Sequence, residues 1–223
     1  MSSLTSDLMV GVLVKQEQQR RQIWNLCGEH VSSFERGPMC WLTQHTATED
    51  SHWLKKNSAP VAPFPALEYF LPLMALLLSE PTLFISKSRE MMTSWLVCGY
   101  IAWLTQWLPQ ILCIIQTEKE DKAVQLIEYC RILYRRQPEW MQDKNKLTVD
   151  NAVELKRRNG SHVLAVPQGE NQVRLYHPHL YMQDESAFLP EAEQCFNAVR
   201  PVAKQIVCVS SDEVGWFHLQ TRR

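Results

Sequence analysis

Three short polar segments, each following a run of apolar residues, carry the side chains best suited to chemistry. The first is Lys87-Ser88-Arg89-Glu90-Met91-Met92-Thr93-Ser94. Between a strand and a helix, such a segment directs backbone amides and a helix N-terminus at an anion. Lys87 can reach phosphate oxygens, and Ser94 can offer its hydroxyl to magnesium. The segment departs from the GxxxxGK[ST] phosphate loop, since it has no glycine and Thr93 stands where the lysine usually falls. Taken alone it reads as a polar loop ahead of a tryptophan-rich core helix, with phosphate binding as the alternative. The second segment is Asp184-Glu185, after the apolar residues 180–182. There, Asp184 can hold a magnesium water shell while Glu185 orients and polarises an attacking water. A solvated strand end is the competing reading. The third, Ser210-Ser211-Asp212, follows the apolar run 206–209 and can set a hydroxyl beside a terminal phosphate to sense its loss. Serine and aspartate also suit ordinary turns. The order of the three is more specific than any one of them, and it makes phosphoryl transfer to water the leading enzymatic reading.

Those segments meet only if the elements before them are neighbouring strands. Residues 83–85, 111–115, 163–166, 173–176, 180–182 and 206–209 are apolar enough for buried strands. Helices are expected over about 9–27, 67–78 (with Pro72 in the first turn or at a kink), 93–106 and 191–199. Thr117 and Glu120 form a capping-box pattern. The helix after them repeats Ala123, Leu126, Ile127, Cys130, Leu133 and Tyr134 at helical spacing, which is a core-facing stripe. Strands alternating with helices imply a mostly parallel sheet covered on both faces. In such sheets ligand groups gather beyond the carboxyl ends of the strands, where all three polar segments lie.

Bulk properties exclude several classes. A length of 223 residues and 45% hydrophobic content suit one well-formed domain with a sizeable core rather than a disordered chain. The formal net charge of -1 favours no polyanionic partner, and Lys156-Arg157-Arg158 is the only uninterrupted basic triplet, read as solvated surface or a local DNA-facing patch. The seven cysteines lack the close pairing of a zinc site or disulfide framework, so they read as buried free thiols. Residues 91–116 carry no formal charge and are long enough to span a bilayer, but Thr105, Gln106, Pro109 and Gln110 divide them into a helix, a turn and a strand. No signal-peptide pattern opens the chain.

The three segments together resemble the ATPase domain of the large terminase subunit of tailed phages. The resemblance rests on 87–95, on Tyr181-Met182-Gln183-Asp184-Glu185-Ser186-Ala187-Phe188 and on Val207-Cys208-Val209-Ser210-Ser211. It extends less firmly to Trp41-Leu42-Thr43 and Pro63-Phe64-Pro65 upstream. It implies an α/β, P-loop NTPase-like three-layer α/β/α fold with a mostly parallel central sheet. Residues 1–55 would form a mainly helical segment and 56–223 the ATPase core. Lys87, Ser88, Arg89, Thr93 and Ser94 would bind ATP, Ser94 and Asp184 the Mg2+ ion. Glu185 and Arg89 would be catalytic, and Ser210 and Ser211 would couple hydrolysis to motion. Thr43, Gln44 and His45 fall in the region that meets adenine in that family.

The same resemblance implies translocation of double-stranded DNA into a procapsid. Its partners would be a portal protein, a small terminase subunit and other copies of the chain in a ring. The setting would be the cytoplasm of an infected or lysogenic bacterium, with no membrane partner. Two departures qualify it. Glu90 puts a negative charge where the family often has glutamine. The chain also stops soon after Ser211, so a nuclease domain and nuclease activity are not expected and the ATPase core reads as shortened at its C-terminal side. An excised domain, a split gene product and a truncated prophage remnant stay open. So do two other functions: a catalytically silent assembly module with an ATPase-like fold, and a helicase-like, nucleic-acid-dependent ATPase.

Overall fold

The computed structural model describes residues 2–49, 60–211 and 213–222. Helices α1 (Ser2–Cys27) and α2 (Gly37–His45) come first, followed by a small antiparallel pair, β1 (Ala47–Glu49) with β2 (Val61–Pro63). Then come α3 (Phe70–Ser79), β3 (Thr82–Ser86), α4 (Thr93–Trp107), β4 (Leu112–Gln116), α5 (Glu120–Arg136) and α6 (Glu139–Lys144). The second half holds β5 (Leu147–Asp150), β6 (Glu154–Arg157), β7 (His162–Val166), the single turn α7 (Glu170–Val173), β8 (Leu180–Asp184), α8 (Ala192–Val199), β9 (Gln205–Ser210) and α9 (Trp216–Thr221).

One seven-stranded sheet runs in the order β3-β9-β8-β4-β7-β6-β5. The five strands from β3 to β7 are parallel, and β6 and β5 continue from β7 as an antiparallel meander. Alternation along each strand divides the core in two. Cys113, Ile115, Leu180, Met182, Val207 and Val209 face α2, α3, α4 and α5. Ile114, Tyr181, Ile206 and Cys208 face Val173, Cys195, Val199 and Phe217 of α7, α8 and α9. Helices therefore cover both faces, giving the expected three-layer α/β/α arrangement. Central strands buried on both sides read as continuous apolar runs, and that is why the sequence reveals them.

α4 is the keel of the larger layer. Leu96, Val97, Cys98, Ile101, Ala102 and Trp103 are fully buried, and truncating Trp103 to alanine would cost about 3–5 kcal/mol. Gly99 allows α2 to approach, for a Cβ there would lie 2.8 Å from Leu42. Cys27, Met39, Cys40, Trp41 and Leu42 belong to the same core cluster as α4, so α1 and α2 pack on the layer that carries the site. The boundary expected at 55/56 lies outside the described residues. Among the described residues, no helix is long and apolar enough to cross a membrane.

Four local expectations are corrected. Residues 173–176 are not a strand: Gly169 (φ 116°) starts the turn α7, in which Arg174 N–H donates to the Glu170 carbonyl, and Val173 is buried with Tyr176 packed partly against the same core. The capping box does not form, because α5 starts after Lys119 and the Thr117 hydroxyl donates to the Lys119 carbonyl at 2.6 Å. Strand alternation divides the basic triplet: Lys156 and Arg158 are exposed, while Arg157 points inward. Strands β5 and β6 had no clear apolar signal: β5 is the edge strand and alternates half-buried with exposed residues, and β6 beside it buries only Leu155 and Arg157.

Candidate active site

The sheet order sets β9 between β3 and β8, so the three polar segments leave adjacent strand ends. Lys87 N–H donates to the Ser210 carbonyl at 2.9 Å, extending the β3–β9 pairing one residue into the loop. The Lys87 Nζ then crosses to Glu185 and donates to its Oε1 at 3.1 Å. Ser210 and Ser211 each place Oγ 3.5 Å from Glu185 Oε2. Ser210 Oγ also accepts from the Ala187 amide at 3.1 Å, tying the end of β9 to the turn beyond the acid pair. Residues 98 and 25 positions apart from Glu185 thus converge on one carboxylate.

Glu185 is held there by an unusual backbone. Its φ of 53° lies in the left-handed region, which costs a non-glycine residue about 1–2 kcal/mol. The turn is locked by Phe188 N–H donating to the Glu185 carbonyl at 2.9 Å and by the Ser186 hydroxyl donating to the Gln183 carbonyl at 2.9 Å. Below it lies a buried polar network: the Tyr181 hydroxyl donates to Gln116 Oε1 at 2.5 Å, and Gln183 Nε2 donates to the Tyr181 oxygen at 3.1 Å. A satisfied network of this kind fixes β8 against β4 in one register.

Asp184 sits deeper, 8% exposed. Burial and then the neighbouring Glu185 charge push its pKa up to about 6, against the opposing pull of Lys87 and the Ser94 hydroxyl. Ser94 Oγ donates to its two oxygens at 3.1 and 3.3 Å. Ser94 is the second residue of α4, where first-turn amides have no intrahelical acceptor. A carboxylate destabilised by burial and touched by one hydroxyl matches a hard divalent cation held through oxygen ligands.

The loop reaches α4 through two more residues with positive φ, Glu90 (65°) and Met92 (51°). Glycines would take these conformations freely, so the glycine-free sequence is folded at a local cost. Tyr69 supports the loop by donating its hydroxyl to the Met91 carbonyl at 2.7 Å. Glu90 is exposed and does not line the cavity, which disposes of its charge as an obstacle to an anion.

A cavity of about 570 Å³ opens at this edge, within the size range of small-molecule sites. Arg89, Ser94, Asp184, Glu185 and Ser211 form one wall. The other wall comes from α5 and the residues before it: Glu118, Lys122, Gln125, Leu126 and Tyr129. Lys122 donates to Glu118 at 3.0 Å, and the Tyr129 ring stacks on Trp95 with centroids 3.9 Å apart. Sequence reasoning missed this wall, because an i,i+4 ion pair on a helix looks the same whether it faces solvent or a ligand. Ser88 is exposed outside the cavity, and the Thr93 side chain is buried beneath it. Thr43 and Gln44 bond to the Met39 and Phe34 carbonyls, and His45 lies beside two cysteines; none of the three lines the cavity. Asp212 lies outside the described residues.

No protein-family model matches the chain, and no curated protein matches it in sequence. Solved structures match it in fold. The Thermus phage P74-26 large terminase ATPase domain gives a TM-score of 0.54, covering 77% of this chain and 72% of that one at 13% identity. An arginine-to-alanine mutant of that domain gives 0.55, covering 77% and 73% at 11% identity. The chain has the fold of a phage large-terminase ATPase domain. The HK97 bacteriophage large terminase agrees, with a TM-score of 0.57 over 78% of this chain at 10% identity, although the chain spans only 36% of that protein. At such identities the terminase fold is what is shared. The roles of individual side chains rest on the distances above.

Proposed function

We propose that this site binds ATP with Mg2+ and hydrolyses it. The observation that carries the reading is the meeting of Lys87 with Glu185 (3.1 Å) and of Ser94 with Asp184 (3.1 Å) at the ends of neighbouring strands. Lys87, Arg89 and the first-turn amides of α4 would receive the phosphates. Ser94 and Asp184 would hold the magnesium, which when bound screens the phosphate charge. Glu185, released from Lys87, would orient a water and take up its proton as the water oxygen bonds to the terminal phosphorus and the bond from that phosphorus to the bridging oxygen of the departing ADP breaks. Ser210 and Ser211 both touch that carboxylate and Ser210 also touches the turn after it, so a shift at Glu185 would be passed to β9.

The terminase fold supports the finer reading that hydrolysis drives double-stranded DNA into a procapsid, with a portal protein, a small terminase subunit and a ring of copies as partners. Turnover measured for the chain and its Glu185→Gln variant tests the chemistry. The variant should lose about 10²–10⁴-fold in rate while still binding nucleotide. Lys87→Ala should weaken a non-hydrolysable analogue by about 10–100-fold, the range for losing one charge-assisted contact. Equal hydrolysis by wild type and Glu185→Gln would remove Glu185 from the reaction. Clear turnover unaffected by double-stranded DNA or by procapsids would leave an ATPase and remove the packaging role.

A further inference from the structure

Away from the cavity, the structure brings together two cysteines and a histidine that are well separated in the sequence. Cys27 ends α1, and Cys40 and His45 lie on α2. Their ligand atoms all lie within 4.8 Å of one another. The arrangement is rigidly built. Trp103 Nε1 donates to the Cys27 carbonyl at 2.7 Å, and a Cβ on Gly28 would lie 2.4 Å from the Trp107 ring, so the end of α1 is pressed against α4. The chain then turns back through Gly37 at φ 74°, where a Cβ would lie 2.1 Å from the Val31 carbonyl oxygen. Only glycine fits that turn, and the turn is what delivers Cys40 to Cys27.

We propose that Cys27, Cys40 and His45 bind a zinc-class divalent cation. The two sulfurs are 3.7 Å apart. A tetrahedral centre with Zn–S bonds of about 2.3 Å requires an S···S edge of about 3.7–3.8 Å. The matching S···N edges are about 3.5 Å, so the His45 nitrogen, within 4.8 Å of both sulfurs, would close in on binding. Burial lowers the pKa of His45, favouring the neutral imidazole that ligates metals. The hydrogen bond between the thiols lowers the pKa of Cys40 and raises that of Cys27, with burial adding to the rise. Binding the cation would expel the thiol protons to solvent. Both cysteines are buried and His45 is half-buried, and a water would complete a four-coordinate shell. The bound ion would tie α1 to α2 beneath α4. The spacing Cys-x12-Cys-x4-His matches no familiar finger pattern, so the fold alone assembles the ligand set.

The test uses the full chain, reduced and stripped of metal, then titrated with cobalt(II) or zinc(II). One equivalent of cobalt should give sulfur-to-metal charge-transfer absorption together with tetrahedral d–d bands. Cys27→Ser and Cys40→Ser should lose the charge-transfer band, and His45→Ala should weaken affinity by at least about tenfold. Asp184→Asn should leave the band unchanged, which separates this site from the magnesium position. Zinc-edge X-ray absorption on the wild type, which needs no variant to fold, should show two sulfur neighbours. No charge-transfer band in the reduced wild type, a band that survives Cys27→Ser and Cys40→Ser, or a zinc shell of nitrogen and oxygen alone would overturn the assignment.

Discussion

Asp184→Asn should stabilise the magnesium-free protein, although the proposed function places this carboxylate at the metal. The side chain is 8% exposed and its pKa is pushed from 3.8 up to about 6, so the folded state resists its ionisation. A group whose folded pKa is raised contributes stability that is fully present below the unfolded pKa and lost as pH rises through the folded one. Here that window runs from about pH 4 to about pH 6. A shift of about two units corresponds to about 3 kcal/mol, all of it forfeited above pH 7. Linkage leaves a penalty of only about 1 kcal/mol near pH 4.5. Asparagine keeps an oxygen to accept from Ser94 and cannot ionise, so it removes the penalty.

Urea unfolding of wild type and Asp184→Asn without added magnesium, at about pH 8 and again at about pH 4.5, measures the difference. The variant should be more stable by about 2–3 kcal/mol at the higher pH and by about 1 at the lower. Magnesium with nucleotide should then stabilise the wild type and not the variant. A variant destabilised at pH 8, or a difference that does not change with pH, would show that Asp184 is not held as a buried, unwilling anion.

Two further outcomes follow from the geometry. Glu90→Gly should raise stability by up to about 1 kcal/mol, since φ 65° is free for glycine and the exposed side chain has no partner in the cavity; a loss in thermal or urea unfolding would contradict the strain argument. Arg157 lies buried over the Tyr134 ring, donates to Thr105 and Gln106, and has its pKa pushed down to about 10 by burial. Arg157→Ala should therefore cost about 2–4 kcal/mol through the cavity and the unpaired acceptors it leaves, whereas its exposed neighbour Lys156→Ala should shift stability by under about 0.5; equal small effects would return the triplet to the surface.

What could be read from the sequence follows the physics of each element. β3, β8 and β9 lie between two helical layers, so their apolar runs and polar ends stand out, and with them Lys87, Asp184, Glu185, Ser210 and Ser211. The α5 wall of the cavity did not, because Glu118, Lys122 and Gln125 acquire a role only when α5 packs across from β8. Nor did the meeting of Cys27, Cys40 and His45, which depends on the turn at Gly37 and on the pressure of Trp107 against Gly28. Residues 173–176 failed for a simpler reason: short β-branched and aromatic runs favour strands, but β6 already occupies the free side of β7. The fold resemblance carries the general arrangement, while the far wall and the cysteine cluster belong to tertiary packing.

The pairing of Lys87 with Glu185 has a consequence for the order of events. Arg89 and Lys122 line the cavity with Glu118, Asp184 and Glu185, and Lys87, which does not line it, is bonded to Glu185 from the side. In the proposed function, a phosphate arriving at the loop would draw Lys87 from Glu185, and only then would that carboxylate be free to polarise a water. On that reading the acid would be withheld until nucleotide is present. Neutralising Glu185 should release Lys87 and tighten nucleotide binding. The pair is about a quarter exposed on the glutamate side (27%), so its strength is discounted to about 1 kcal/mol, and Glu185→Gln should bind a magnesium–ATP analogue about three- to tenfold more tightly by calorimetry. Glu185→Asp keeps the charge but shortens the reach, so it should fall between the two. Unchanged or weaker binding by Glu185→Gln would mean that Lys87 does not choose between carboxylate and phosphate, and the proposed gate would fall with it.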